Sequence, residues 1–292
     1  MTEVRNNSSI SIRRLGRTFD EPSSTLGRWL KKPSECPESF SRRFCPVSGD
    51  PVLRSRVRAL CEEDRHLTWG HRRIRALLLR RFGMRINRKT VLRIMREEGL
   101  TRPKVWRRPY RPRRVEKMKP TDVNEAWQVD MTSFTLSDFT TLYLVMVIDC
   151  FSRKIEGWTL SRRCRASEWV SAVRMGLETE GLSTKEACSG LLLRSDNGSQ
   201  PCSKKFVEFL SSRGLKGQYT GYDAPDDNAY VERVIRTIKE EEIWLNSYDS
   251  FWEAHKAIEE YINYYNNERI HSSIGYMTPI EYEAENVKLL AA

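Results

Sequence analysis

Hydrophobic and polar positions in the second half of the chain switch between two periods. From residue 124, WQVDMTSFTL, TTLYLVMVIDC and KIEGWTLS read as three consecutive strands, with SDF and FSR in the turns. In the first of them Trp127, Val129 and Met131 share one face, and Gln128, Asp130 and Thr132 share the other. RASEWVSAVRMGLETEG then repeats at helical spacing. Leu191-Leu192-Leu193 reads as a short buried strand, KKFVEFLSSRG as a helix and QYT as another short strand. A further helix places Val231, Val234, Ile235 and Ile238 on one stripe, with Asp226 or Asp227 positioned to cap it. Strands and helices in this order predict an α/β architecture, a mixed sheet flanked by helices. The closing stretch begins with Ser250 and Glu253 in capping-box spacing and carries Phe251, Ala254, Ile258, Tyr261, Ile262 and Tyr265 as a face to bury. His271 falls in the turn that follows, where a lone histidine is expected to be structural.

The first half follows the helical period alone. Residues 10–32 suggest a short helical pair around a turn, and Pro37 to Pro51 reads as a loop. Two clear helices follow. The first is apolar at Ile74, Leu77 and Leu78 and is ended by Gly83; the second is capped by Asn87, apolar at Val91, Leu92, Ile94 and Met95, and ended by Gly99. Helix, short turn and basic helix make a helix-turn-helix, with Arg88, Lys89, Arg93 and Arg96 available to DNA. In TRPKVWRRPYRPRRVEKMKP four prolines forbid a helix, so Arg107, Arg108 and Arg111 lie on an extended basic strap suited to following phosphates. The expected organisation is a basic helical segment over 1–60, a helix-turn-helix over 61–102, a linker over 103–122, an α/β core over 123–282 and a tail over 283–292.

Charge sharpens this division. The net charge of +11 hides a front of residues 1–120 with 32 Lys and Arg against 12 acids, and a back of residues 121–292 with 18 against 27. A basic arm joined to an acidic body suggests a nucleic-acid partner and a body that holds metals or its own charge. No long apolar segment or leader signal appears, so no membrane role is expected and the chain is expected in the cytoplasm, associated with the nucleoid. Seven scattered cysteines without a CxxC pair read as free thiols.

The candidate chemistry lies in three acids. Asp196 stands at the tip of the Leu191 strand, beside the turn formers Asn197 and Gly198. Glu232 lies one turn into the later helix, with Arg236 and Lys239 stacked beyond it on the same face. Asp130 sits inside the first strand. Any one acid alone is most often a solvated surface charge. Together, with cations beside them, three carboxylates suit a hard metal ion that activates an oxygen on a phosphodiester. Asp149, at the end of the second strand, is expected to turn the hairpin instead.

With 35 residues between Asp196 and Glu232, the set resembles the D,D(35)E constellation of the transposase and retroviral-integrase superfamily. WGHRRIRALLLRRFGMRINRKTVLRIMREEGL, AWQVDMT, LYLVMVIDCFSRKIEGW, RSDNGSQ, DNAYVERVIRTIKEEE and YYNNERIHSSIGYMTPIEYE, in this order, are similar to the OrfB-type transposases of insertion sequence family 3. The resemblance implies an RNase H-like core, a five-stranded mixed sheet whose first and fourth strands lie side by side. It implies Asp130, Asp196 and Glu232 as catalytic residues holding two Mg²⁺ (or Mn²⁺) ions, with Asp130 shared between them, and DNA strand cleavage and strand transfer at the element's ends. It implies Arg236 and Lys239 as grips on the phosphates there. It further implies the terminal inverted repeats and target DNA as partners, a homo-oligomer on DNA, and an upstream OrfA-type helix-turn-helix and leucine-zipper protein. The rival readings are a decayed transposase that only binds DNA, and a junction or hybrid nuclease on the same fold. One departure is Pro201, followed by Cys202, where an aromatic usually follows SDxGSQ.

Overall fold

The computed structural model, which describes residues 50–101, 120–182, 184–220 and 228–290, gathers the alternating segments into one five-stranded sheet of order β3-β2-β1-β4-β5. β1 (Ala126–Thr135), β2 (Thr141–Asp149) and β3 (Ile155–Ser161) form an antiparallel meander, while β4 (Leu192–Ser195) and β5 (Lys216–Tyr219) continue the sheet parallel to β1. This is the mixed, RNase H-like sheet that the sequence predicts, with the first and fourth strands adjacent. The helical pair at 10–32, the strap carrying Arg107, Arg108 and Arg111, and the caps Asp226 and Asp227 lie outside the described residues. The chain divides into two compact units at Arg54, and the sheet and all sites below belong to the second.

Both faces of the sheet are covered, and the strands show it. β2 is buried without alternation from Leu144 to Ile148, as a strand with helices on either side must be. On one face Trp127, Val129, Val147 and Leu193 pack with Trp169, Val173 and Leu177 of α4 (Ala166–Thr179) and with Phe206 and Leu210 of α5 (Lys204–Arg213). Removing a ring buried like that of Trp127 typically costs about 3–5 kcal/mol. α4 lies almost on the backbone of β3: a Cβ at Gly157 would come within 2.1 Å of the Ala172 carbonyl oxygen and 2.6 Å of the Gly176 amide. The opposite face of the sheet carries α6 (Ala229–Ile238) and α7 (Phe251–Asn267). Val231, Val234 and Ile238 of the predicted stripe are fully buried there and Ile235 partly so. Asp149 takes the structural part expected of it. Its buried Oδ1 accepts from the Phe151 and Ser152 amides at 2.9 and 2.6 Å, and Oδ2 from the Asn124 amide at 3.0 Å.

Among the described residues three α-helices precede the core: α1 (Pro51–Glu62), α2 (His71–Phe82) and α3 (Arg88–Glu97). The ends of the last two are as expected. Gly83 closes α2 in the left-handed region at φ 64°, and the Asn87 side chain accepts from the Lys89 amide. α1 is a correction to the sequence reading, which treated Pro51 as the end of a loop; the proline is instead the first residue of a helix, where its missing N–H costs nothing. The last helix, α8 (Pro279–Leu290), continues beyond residue 282. Among the described residues no helix is long and apolar enough to cross a membrane, and the cysteines there are free thiols.

Candidate active site and nucleic-acid interface

The parallel pairing of β1 with β4 sets the level of the two aspartates. Ala126 pairs with Leu192, Trp127 with Leu193 and Gln128 with Arg194, so the same offset puts Asp196, just past the tip of β4, level with Asp130. Glu232 arrives on the exposed side of α6. The three share one electrostatic neighbourhood. Burial, and then the charges of Asp196 and Glu232, push the Asp130 carboxyl up to about 6, against the pull of the Met131 amide and of Lys239. Negative charge gathered around a largely buried carboxyl is what a divalent cation relieves, and the donor set, carboxylate oxygens only, suits a hard ion. The set is open, however. Among the described residues the three carboxylates that approach within 4.8 Å of one another are Glu156, Glu180 and Glu283. There the Lys154 ammonium already serves as the cation, 3.1 Å from both Glu156 and Glu283 and bonded to Glu180.

What fixes Glu232 against Asp130 was not singled out in the sequence. The buried Gln128 side chain, two residues before Asp130 on the same strand face, accepts through Oε1 from the Tyr230 and Val231 amides, each at 3.1 Å. It thereby caps the N-terminus of α6 from across the sheet. Asn228, not an aspartate, occupies the cap position, and its amide donates at 3.4 Å to the Val129 carbonyl oxygen. In the sequence Gln128 is one of three polar residues on its strand face, and its partners lie about a hundred residues away. At Asp196 the loop turns tightly: the Gly198 amide donates to Oδ1 at 3.1 Å, and a Cβ at Gly198 would stand 3.0 Å from that oxygen. The departure at Pro201 is absorbed by packing, since Pro201 is buried and its carbonyl oxygen accepts from the Tyr219 hydroxyl.

The basic ladder beyond Glu232 divides. Arg236 is exposed and lies 3.8 Å from Glu240, while Lys239 is half-buried and close enough for its charge to act on Asp130. Lys239 opens a π-turn over Lys239–Ile243 that continues α6 and presents Glu241 and Glu242. Glu241 binds the buried Arg269 through both oxygens, at 2.7 and 2.8 Å, and Arg73 of α2 at 3.2 Å. These cations hold its carboxyl down at about 2 in spite of its burial. Glu242 takes Arg65 at 2.8 Å. His271 faces the Arg269 guanidinium at 3.1 Å and is buried, which drives its pKa well down and leaves it a neutral structural group, as expected. The helix-turn-helix is thus joined by charge to the helix that carries Glu232. On α3 Arg88, Lys89, Arg93 and Arg96 are all exposed, Arg93 in a loose 3.9 Å pair with Glu97.

Comparison with family models divides the chain in the same way. Residues 120–221 and 213–279 match models of the integrase core domain, and residues 50–110 an HTH-like domain. The chain is 29% identical over 248 residues to the putative transposase InsK of insertion element IS150 from Escherichia coli, covering 79% of this chain and 82% of that one. It is 32% identical over 169 residues to the IS904 transposase of Lactococcus lactis, covering 58% of this chain and 64% of the relative. Among solved structures, the simian T-cell lymphotropic virus intasome aligns at TM-score 0.49 and 17% identity over 72% of this chain and 70% of that chain. The HTLV-2 integrase catalytic core aligns at TM-score 0.44 and 19% identity over 56% of this chain and 99% of that one.

Proposed function

The chain belongs to the integrase-core transposases of insertion sequences, and from that premise we propose that it cuts DNA at the ends of such an element and transfers the cut strand. The observation that carries the reading is the convergence of three carboxylates from separate parts of the fold: Asp196 stands level with Asp130 beyond the adjacent strand, and Glu232 rides on a helix that Gln128 fastens to the same strand, while the Asp130 carboxyl, raised first by burial, is raised further by the charges of both. Asp130, Asp196 and Glu232 would hold two Mg²⁺ or Mn²⁺ ions. When bound, the ions supply Lewis-acid activation of the attacking oxygen and charge stabilisation of the departing one. The protein's own groups position the reaction. Gln128 sets the height of Glu232, Lys239 offsets negative charge beside Asp130, and Arg236 reaches outward to phosphates. A water and then the freed 3′-hydroxyl would attack phosphorus in line, with no covalent protein–DNA intermediate.

The α3 residues Arg88, Lys89, Arg93 and Arg96 would engage the terminal inverted repeats, and the strap residues Arg107, Arg108 and Arg111 the adjoining backbone. Two ends need two active sites, so the working form is a homo-oligomer on DNA, joined by an OrfA-type partner where the element encodes one. The domain limits of 61–102 for the reader, 103–122 for the linker and 123–282 for the core belong to this proposal. The test uses labelled DNA carrying the element's ends, with Mg²⁺ or EDTA. Metal-dependent cleavage and joining that vanish in Asp130→Asn, Asp196→Asn and Glu232→Gln, with end binding retained, are expected. Binding lost in all three variants would make the carboxylates structural and overturn the assignment.

A further inference from the structure

The helix-turn-helix meets the end of the integrase core at a groove of about 330 Å³ lined by Arg72, Arg75, Arg88 and Tyr276. Three of its walls are guanidinium groups from two helices. Arg75 is aimed by its own Nε, which donates to the Ile86 carbonyl oxygen at 2.8 Å. Arg72 and Arg88 have no acidic partner among the described residues. The positive field is strong enough to act on His71, whose pKa is lowered by burial and then by Arg72, Arg88 and Arg96.

The fourth wall comes from outside the helix-turn-helix. Tyr276 sits at φ 63°, a left-handed backbone conformation that residues with a Cβ seldom occupy, directly after Gly275 at φ 69°. The turn therefore holds the Tyr276 side chain at the border of the groove in spite of that conformation. The position is fixed on both sides. The Tyr276 amide donates to the His271 carbonyl oxygen at 2.8 Å, and Arg80 of α2 donates to the Tyr276 carbonyl oxygen at 2.9 Å. Arg80 also grips Glu281 through both nitrogens, at 2.5 and 3.0 Å, and so ties α2 to the start of α8. The groove is therefore already formed before anything enters it.

We propose that this groove binds one phosphodiester of the DNA backbone, held between the guanidinium groups of Arg72, Arg75 and Arg88 and the hydroxyl of Tyr276. Guanidinium forks match phosphate oxygens in pairs, and a neutral hydroxyl adds a directed donor without competing charge. The exposed basic face of α3, with Lys89, Arg93 and Arg96, continues from Arg88, so a backbone leaving the groove runs onto more positive surface. The proposal rests on the reading of α3 as a DNA-binding helix and adds a consequence to it. A phosphate pinned between the reader and the C-terminal turn of the core sets the register of the element's end against the catalytic sheet, which a strap alone does not.

The experiment measures anisotropy of a fluorescein-labelled duplex carrying the element's end, with the full chain, across a KCl series. Arg72→Ala is expected to weaken binding about tenfold and to flatten the salt slope by about one phosphate contact. Tyr276→Phe is expected to weaken binding several-fold with the slope unchanged, and Lys256→Ala on α7 to do neither. A photo-crosslinking p-benzoylphenylalanine at position 276 is expected to capture the DNA strand. If Arg93→Ala weakens binding while Arg72→Ala and Tyr276→Phe match the wild type, or if the probe at 276 captures an acidic segment of a second copy, the groove proposal fails and the reading of α3 stands. Loss of affinity in Arg72→Ala with an unchanged salt slope makes the groove structural and also overturns the proposal. If Arg93→Ala has no effect either, the DNA reading of α3 falls and the groove goes with it.

Discussion

Glu241→Gln separates the buried charge network from ordinary packing. Arg269 is 1% exposed and Glu241 is its bidentate partner, so the amide would leave a guanidinium buried without a counter-ion. Breaking a buried pair from one side costs about 3–5 kcal/mol. Linkage gives a second route to the magnitude. An ordinary glutamate titrates near 4.5 and Glu241 is held at about 2 in the folded chain, a difference that corresponds to about 3 kcal/mol. Because the folded value is the depressed one, this stability is fully present above pH 4.5 and drains away as pH falls towards 2. Urea denaturation at pH 7 should therefore place the variant about 3 kcal/mol below the wild type. At pH 3 the gap should shrink by more than half, since the wild-type carboxylate is by then partly without its advantage. A gap under about 1 kcal/mol at pH 7 would refute the reasoning, as would one that does not change between the two pH values.

Three further outcomes are expected. Gln128→Leu should leave the amides of Tyr230 and Val231 without their acceptor, lowering the cleavage rate and raising the Mg²⁺ concentration needed for half-maximal activity; Gln128→Glu should restore the metal response, since a carboxylate also accepts both bonds, and failure of that rescue would remove Gln128 from positioning. Gly157→Ala should destabilise the fold by several kcal/mol in a thermal melt, because the added Cβ meets backbone atoms that cannot turn aside; a change within about 0.5 kcal/mol would show that α4 lifts freely from β3. Arg236→Ala should flatten the salt dependence of end binding by about one contact, whereas Lys239→Ala should depress cleavage more than binding; equal effects on binding in both would return Lys239 to the phosphate ladder.

The strands were legible because a sheet imposes its own period: WQVDMTSF alternates, and LYLVMVID is continuous because both faces of β2 are covered. Asp149 could be assigned to its turn because the residues that satisfy it lie within four positions of it or at Asn124, across the same strand end. The misses were non-local or masked by charge. Leu53, Val57 and Leu60 form a helical stripe, but arginines surround them and a proline begins them. The partnership of Gln128 with Tyr230 and Val231 needs the fold before it can be seen. The π-turn after Ile238 shifts Lys239 out of a regular ladder, and no residue type announces a π-turn. Spacing and motif order bring the three acids forward as candidates; the burial of Asp130 and the action of the other two charges on it depend on their placement in the fold.

The ion pairs between α2 and the π-turn change what the acidic second half means for dissecting the protein. A cut between residues 101 and 120, where the sequence invites one, would strip Glu241 of Arg73, Glu242 of Arg65 and Glu281 of Arg80. It would also uncover Tyr264, over whose ring the Arg65 guanidinium lies at 5.4 Å. An excised 121–292 fragment would carry a raw seam of carboxylates and aromatic rings where the whole chain has a closed joint, and its solubility and self-association would report that seam. Some of the excess acid in the back half is half of a zip, and the arginines of the front are the opposing teeth.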